Sequence, residues 1–156
     1  MKRHTSQLQE KYRFGFSFTS LFFYLCQLFP NIIWWAYPPT NDILSANSST
    51  SIVINFVEHA SGIIMMATLV LIGRKDKTHN HPAFLFVAIL ALLAYYVCWV
   101  IYYTGNVNPY MFVLGLALMP IIAFGMFGIW RKNYIMLIPL LIFAVFHLTI
   151  TCGTFL

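Results

Sequence analysis

Five apolar segments, each about as long as a lipid bilayer is thick, dominate this chain. Short polar stretches separate these segments, which cover residues 14–36, 52–73, 82–104, 109–130 and 134–155. A helix that crosses the hydrocarbon core needs about 20 mostly apolar residues. The sequence therefore predicts an all-α polytopic membrane protein, a bundle of five transmembrane helices in a single domain over residues 1–156.

The composition agrees with this prediction and limits the kinds of partner that the protein is expected to bind. Of the 156 residues, 60% are hydrophobic and only 8% are charged, which is far from the composition of a soluble globular domain. Nine Lys and Arg exceed four Asp and Glu, but all the basic residues fall in the polar stretches, where they set topology. We therefore expect membrane lipid as a partner and no nucleic acid.

The basic residues all fall on one side of the predicted membrane. The stretches 37–51 and 105–108 contain none. Because positive charge is retained in the cytoplasm, we expect the N-terminus inside, the C-terminus outside and a multi-pass protein of the plasma membrane. The nine residues that define this pattern are Lys2, Arg3, Lys11, Arg13, Arg74, Lys75, Lys77, Arg131 and Lys132.

Glu58 is the one carboxylate that falls inside a predicted span. It lies in a polar stretch, residues 29–62, and His59 follows it directly. A charged group at membrane depth costs at least about 2.5 kcal/mol on insertion scales. Glu58 is therefore a candidate functional group.

Polar side chains on four of the predicted helices fall in one layer with Glu58. At 1.5 Å per residue, Glu58 lies about 9 Å below the outer end of its helix, and His147 lies about 13 Å below the end of the last one. Within each helix the polar residues recur at i, i+3 or i+4, which places them on one face. We expect these faces to turn inward, away from lipid. The candidate ligand-binding or proton-binding residues are Asn31, Asn55, Glu58, His59, Tyr95, Trp99 and His147.

Two interpretations of this layer are open. In the functional one, a pocket opens to the outside, with Glu58 as its central acid and the two histidines as partners. In the structural one, Glu58 hydrogen-bonds Asn31, Tyr95 or His147 and simply holds helices together.

The other local sequence patterns do not indicate a catalytic or metal site. Cys26, Cys98 and Cys152 lie apart with no metal-ligand spacing, and no catalytic or phosphate-binding motif is present. We expect no metal and no cofactor. The run 74–81, which includes His79, is typical of a basic loop in contact with anionic lipid.

The fourth segment is notable for glycine and has no strongly polar residue. Gly115, Gly125 and Gly128 permit close helix contact. This pattern suits either packing within the chain or a lipid-facing surface for a homodimer. Pro120 in the same segment predicts a kink.

Aromatic residues gather near the predicted outer ends of the first and third helices. Trp34, Trp35 and Tyr102 are among them. Trp and Tyr are enriched at membrane interfaces, so we expect these side chains in an interfacial belt.

Three features together resemble a group of proteins. The stretch PNIIWWAYPPTND at 30–42, the lone Glu58 and the stretch YYVCW at 95–99 are similar to those of uncharacterised small multi-pass membrane proteins of Gram-positive bacteria. The resemblance implies a bacterial plasma membrane. It implies no activity, because this group has no assigned function.

The leading functional expectation is a protein that binds or transports a small solute or proton through the outward-facing polar pocket. One alternative is an accessory or immunity-type protein that acts through contacts with a partner membrane protein. The other is an intramembrane enzyme that modifies lipid, with Glu58 and His147 as an acid/base pair.

Overall fold

The computed structural model describes residues 11–75 and 78–156 and confirms an all-α architecture. Helices α3 and α4 form one closely packed pair, and α2 and α5 form another. Helix α1 makes fewer contacts with its neighbours. The five helices are α1 (Phe18–Ala36), α2 (Ile52–Leu71), α3 (Pro82–Thr104), α4 (Met111–Trp130) and α5 (Leu137–Phe155, preceded by a 3-10 turn at Tyr134–Met136).

Helices α2 to α5 are long and apolar enough to cross a membrane. Within the described ranges, α1 is not among these candidates. It carries Gln27, Pro30 and Asn31 along its 19 residues, and polar residues lower the hydropathy of a span. The structure thus supports a membrane-embedded bundle, and a fifth span at α1 stays a prediction, as does the orientation of the termini.

A short antiparallel ribbon joins the start of α1 to the end of α2. Strand β1 (Tyr12–Phe14) pairs with β2 (Ile72–Arg74), and Ser17 N donates to the Val70 carbonyl at 2.9 Å. The sequence analysis placed residues 14–17 in the first helix, and the structure corrects this, because they are not helical. Helix α1 begins instead at Phe18, because the Ser17 hydroxyl accepts a hydrogen bond from Ser20 N and caps it.

Two asparagines close the bundle at the same end. The Asn133 amide donates to the carbonyls of Thr68 and Ile72, both at 2.9 Å. The Asn80 amide donates to the Ile129 carbonyl at 2.7 Å. These bonds add side-chain donors to carbonyls at and just after the ends of α2 and α4. We call this end, where β1, β2 and the residues after α4 lie, the basic end.

Helix α4 is the centre of the bundle. Half of its apolar span is buried, against 33% or less in α2, α3 and α5. Ala123 is fully buried, and Phe127 stacks on Phe23 of α1 with ring centroids 4.1 Å apart. Buried aromatic side chains contribute much of the packing energy of a protein core. Between helices in a membrane this energy comes from van der Waals contact, because lipid is as apolar as the side chains and the hydrophobic effect is absent.

The glycines of α4 pack inside the chain, which is one of the two roles that the sequence left open for them. A Cβ at Gly115 would collide with Cys98 of α3, and one at Gly128 would collide with Met136 before α5. At Gly125 it would meet Leu140 of α5 at 3.4 Å. A homodimer, with or without α4 at its interface, stays a prediction.

The first half of α4 is wound as a π-helix, over Met111–Leu118, and α-helical winding begins at Met119. Pro120 follows directly. Proline has no N–H to donate to a carbonyl in the preceding turn, so the change of winding falls where the sequence predicts a kink. The widened turns present Phe112 and Leu116 to a cavity that the other helices enclose.

Candidate functional site

A cavity of about 590 Å³ lies among all five helices, in the half of the bundle opposite the basic end. The loop between α1 and α2 contributes Leu44 and Asn47 to its wall. Six of the seven candidate residues line it, and Asn55 does not. The polar lining residues are Gln27, Asn31, Asn47, Glu58, His59, Tyr95, Trp99, His147 and Thr151.

Glu58 and His147 form the shortest polar contact in the cavity wall. Glu58 Oε1 lies 2.6 Å from His147 Nδ1, and the two side chains are 13% and 22% exposed. If the carboxylate is ionised, the imidazole N–H donates to it; if the carboxyl is protonated, it donates to the imidazole nitrogen. The same geometry therefore holds the pair in two protonation states.

Packing on α5 fixes the position of the His147 ring. Phe143, one turn earlier, stacks on it with centroids 4.8 Å apart. Gly62 of α2 makes room for Phe143, because a Cβ there would lie 3.3 Å from the phenyl ring. The glycine one turn after Glu58 thus lets α5 approach α2 closely enough for the contact between Glu58 and His147.

His59 has a secondary place at the edge of the cavity. Its side chain is 76% exposed, and Nδ1 lies 3.4 Å from Glu58 Oε2. Nδ1 also lies 2.7 Å from the Asn55 carbonyl, which can only accept a hydrogen bond, so this nitrogen carries the proton. His59 is an outlying neighbour of the acid, and His147 is its main partner.

Asn31 and Tyr95 form a separate pair across α1 and α3. Asn31 Nδ2 lies 2.7 Å from the Tyr95 hydroxyl. Nearer the start of α1, the Cys26 carbonyl accepts a hydrogen bond from the Tyr96 hydroxyl at 2.6 Å. Of the three partners considered for Glu58, the structure selects His147, and Asn31 and Tyr95 bond to each other.

Gln27 and Trp99 are buried residues of the cavity wall, 3% and 4% exposed. The nitrogen and oxygen of the Gln27 amide are fully enclosed and have no hydrogen-bond partner among the described residues. An unpaired buried polar group costs about 1–3 kcal/mol.

Asp42 anchors the loop between α1 and α2, residues 37–51. Its Oδ1 accepts from Trp34 Nε1 at 2.9 Å and from the Tyr102 hydroxyl at 2.6 Å. Burial raises the pKa of Asp42, but the hydrogen bonds from Tyr102, Trp34 and the nearby backbone outweigh it, so the pKa lies below its ordinary value. Trp34 and Tyr102 were expected in the interfacial belt, and the structure corrects this: both turn inward to the loop.

The loop covers the cavity at further points. Asn47 Nδ2 donates to Thr151 Oγ1 at 3.3 Å, and the Leu44 N–H donates to the Tyr102 hydroxyl at 3.2 Å. Asn55 bonds both ways with the Ser49 backbone, at 2.8 and 3.0 Å. Asn55 therefore holds the end of the loop and is not part of the cavity wall. We call residues 37–51 the lid loop.

The candidate site residues predicted from the sequence did not include Asp42, Tyr102 or Asn47. Signals for two of them were present. Asp42 is the only charge in its loop, and Tyr102 continues the helix face of Tyr95 and Trp99. Asn47 carries no local signal, since its partner Thr151 lies 104 residues away.

Within residues 11–75 and 78–156, no three His, Cys, Asp or Glu side chains gather in a way that could hold a metal ion. No protein-family model matches the sequence, and no curated protein or solved structure shows detectable similarity to it. The functional argument therefore rests on the residues of the cavity.

Proposed function

We propose that this integral membrane protein binds a small amphipathic molecule in the cavity and couples binding to protonation of Glu58 and His147. The observation that carries the proposal is the 2.6 Å contact between these two side chains in the wall of the cavity. A carboxylate at membrane depth is expensive, and here it borders a space of ligand size. Cavities of about 300–1,000 Å³ are typical of small-molecule sites.

The lining supports an amphipathic ligand. Most of the wall is apolar, with Leu28, Ile63, Met66 and Phe124 among its residues. Polar groups occur at few points, as in sites that use them to orient a mainly apolar ligand.

The pair of Glu58 and His147 favours a cationic or hydrogen-bond-donating head group. In the ionised state Glu58 attracts a cation, and in the protonated state this attraction is lost. Binding of a cation therefore opposes protonation of the pair, and protonation releases the cation. Such reciprocal linkage is the minimum required for proton-coupled binding or transport.

The charge pattern supports access from outside. Arg13, Arg74 and Arg131 lie at the basic end, whereas the lid loop has no basic residue. Under the positive-inside rule the lid loop is extracellular, and the cavity opens outward beneath it. The resemblance to proteins of Gram-positive bacteria supports a bacterial plasma membrane.

An intramembrane enzyme acting on lipid is the second candidate. The observation that favours it is again the contact between Glu58 and His147, because a carboxylate hydrogen-bonded to imidazole can activate water as a general base. In this case the enzyme would consume a lipid ester, and the amphipathic ligand would be its substrate.

The test combines a carboxyl-specific label with a ligand probe. Dicyclohexylcarbodiimide, which modifies protonated carboxyls in apolar surroundings, should label Glu58 in nanodiscs, more strongly as the pH falls. The hydrophobic cation tetraphenylphosphonium should slow this labelling and bind more weakly to Glu58→Gln. Asp76→Asn, which removes a carboxylate from the polar stretch between α2 and α3, is the matched control.

The outcomes separate the candidates. Equal tetraphenylphosphonium binding by wild type and Glu58→Gln contradicts the binding proposal. Release of fatty acid from nanodisc lipid by wild type, lost in Glu58→Gln, supports the enzyme. An accessory protein would be favoured by a third outcome. Neither tetraphenylphosphonium binding nor release of fatty acid would be detected, and wild type and Glu58→Gln would recover the same partner protein equally.

A further inference from the structure

A second cavity, of about 320 Å³, lies at the basic end and is independent of the site at Glu58. Three arginines from separate parts of the chain line it. Arg13 comes from β1, Arg74 from β2, and Arg131 follows α4 directly. In the ribbon Arg13 lies opposite Gly73 and Arg74 lies opposite Tyr12, so the two side chains leave it on opposite faces. The end of α4 adds Arg131 to the lining.

Two hydrogen bonds hold Arg131 in position. Its Nη2 donates to Ser17 Oγ at 3.0 Å, and its Nη1 lies 3.4 Å from His79 Nε2. A guanidinium only donates, so His79 Nε2 is the acceptor in this contact. Arg131 is half-buried, and its planar fork of five donors is oriented before any ligand arrives.

The surroundings of this cavity are electropositive. The His79 ring stacks on Trp130 with centroids 4.3 Å apart. Burial, and then the positive charges of Arg131 and Lys132, lower the pKa of His79. Of the acidic residues in the described ranges, Glu58 lines the other cavity and Asp42 lies in the lid loop, bonded to Tyr102.

The rim of the cavity is apolar and faces outward. Phe16 and Phe18 line it and are 54% and 80% exposed. Their rings meet edge to face at 4.9 Å. A cluster of arginines beside exposed aromatic rings at helix ends matches an amphiphile that has an anionic head and acyl chains.

We propose that the cavity between Arg13 and Arg131 is a binding site for a phosphate ester, occupied by the head group of an anionic phospholipid. The guanidinium groups contact the phosphate oxygens. The acyl chains run past Phe16 and Phe18 into the membrane. The site goes beyond the proposed function, since it shares no lining residue with the cavity at Glu58.

The test uses native mass spectrometry of the full chain in neutral detergent. It compares how much phosphatidylglycerol and how much phosphatidylcholine stay bound to the protein. Arg13→Gln should weaken phosphatidylglycerol binding about fivefold, the usual effect of one basic residue near an anionic head group. Lys11→Gln removes the same charge two residues away, from a side chain that does not line the cavity, and should leave binding unchanged. Arg131→Lys keeps the charge but loses the fork, and should also weaken binding.

A parallel arm with inorganic phosphate distinguishes the source of the anion. Weak competition by phosphate and strong retention of phosphatidylglycerol are expected. Tight phosphate binding without lipid retention would overturn the lipid assignment. Equal losses for Arg13→Gln and Lys11→Gln would overturn the site itself, because they would indicate general surface charge. Arg131→Lys is compared at matched thermal stability, so that a folding defect is not mistaken for lost binding.

Discussion

The Tyr102 hydroxyl donates a 2.6 Å hydrogen bond to Oδ1 of Asp42 and so ties the lid loop to the end of α3. The same hydroxyl accepts a bond from the Leu44 N–H. One buried phenol thus serves both a side chain and the backbone of the loop. Because Leu44 also lines the cavity, we expect the state of this contact to control access to Glu58.

Tyr102→Phe should loosen the lid loop. The change leaves the Leu44 N–H without its acceptor and removes a donor from Asp42, at a cost of about 1–3 kcal/mol in stability. Carbodiimide labelling of Glu58 should become faster than in wild type. Tyr110→Phe, at an exposed position (66%), is the control. Unchanged labelling in Tyr102→Phe would show that the loop does not limit access.

The lid loop should depend on pH through Asp42. Its pKa in the folded protein is below the ordinary value of 3.8. A lowered carboxyl pKa stabilises the fold above the ordinary value, and this contribution is lost as the pH falls through the folded pKa. The hydrogen-exchange protection factors of residues 43–49 should therefore be constant from neutral to mildly acidic pH and decrease only below 3.8. In Asp42→Asn this acid step should disappear, and a step that persists would assign it to another group.

Two substitutions at Glu58 separate a functional role from a structural one. Glu58→Gln keeps a hydrogen bond to His147 and should change stability by about 1 kcal/mol or less, while the pH dependence of tetraphenylphosphonium binding disappears. Glu58→Leu leaves the buried imidazole without a partner and should cost about 1–3 kcal/mol. The double variant Glu58→Leu with His147→Leu should recover part of that loss. A Gln variant with normal binding at every pH would end the case for Glu58 chemistry.

Gly128→Ala should destabilise the bundle although alanine favours helix. The added Cβ collides with Met136, and overpacking costs about 1–3 kcal/mol. Gly153→Ala in α5 meets nothing within 4 Å and should be neutral or stabilising by up to about 1 kcal/mol. Melting temperatures in detergent compare the two. A Gly128→Ala protein with normal stability but an altered oligomeric state would indicate that α4 forms a dimer surface.

The topology prediction can be checked with reporter fusions. A reporter after Leu156 should be extracellular, and one inserted near Lys75 should be cytoplasmic, because all nine basic residues fall on one predicted side. A cytoplasmic C-terminus would show that one segment does not span. Helix α1, the one described long helix outside the span candidates, is then the first to re-examine.

Much of the fold could be predicted from local pattern. The bounds of α3, Pro82–Thr104, match the predicted segment, because an apolar run bounded by proline and glycine specifies where a helix begins and ends. Periodicity also placed Tyr95, Trp99 and His147 on inward faces. Spacing within one helix is a short-range property, and it determines which side chains share a face.

Only the tertiary structure decided how these faces meet. Which partner Glu58 takes depends on the rotation and depth of α5 relative to α2, and Gly62 and Phe143 set that relation through packing. The central position of α4, the turn of Tyr102 toward Asp42 and the pairing of β1 with β2 arise in the same way. Each joins residues that are distant in sequence, and their mutual position follows from the packing of whole elements, which no local pattern specifies.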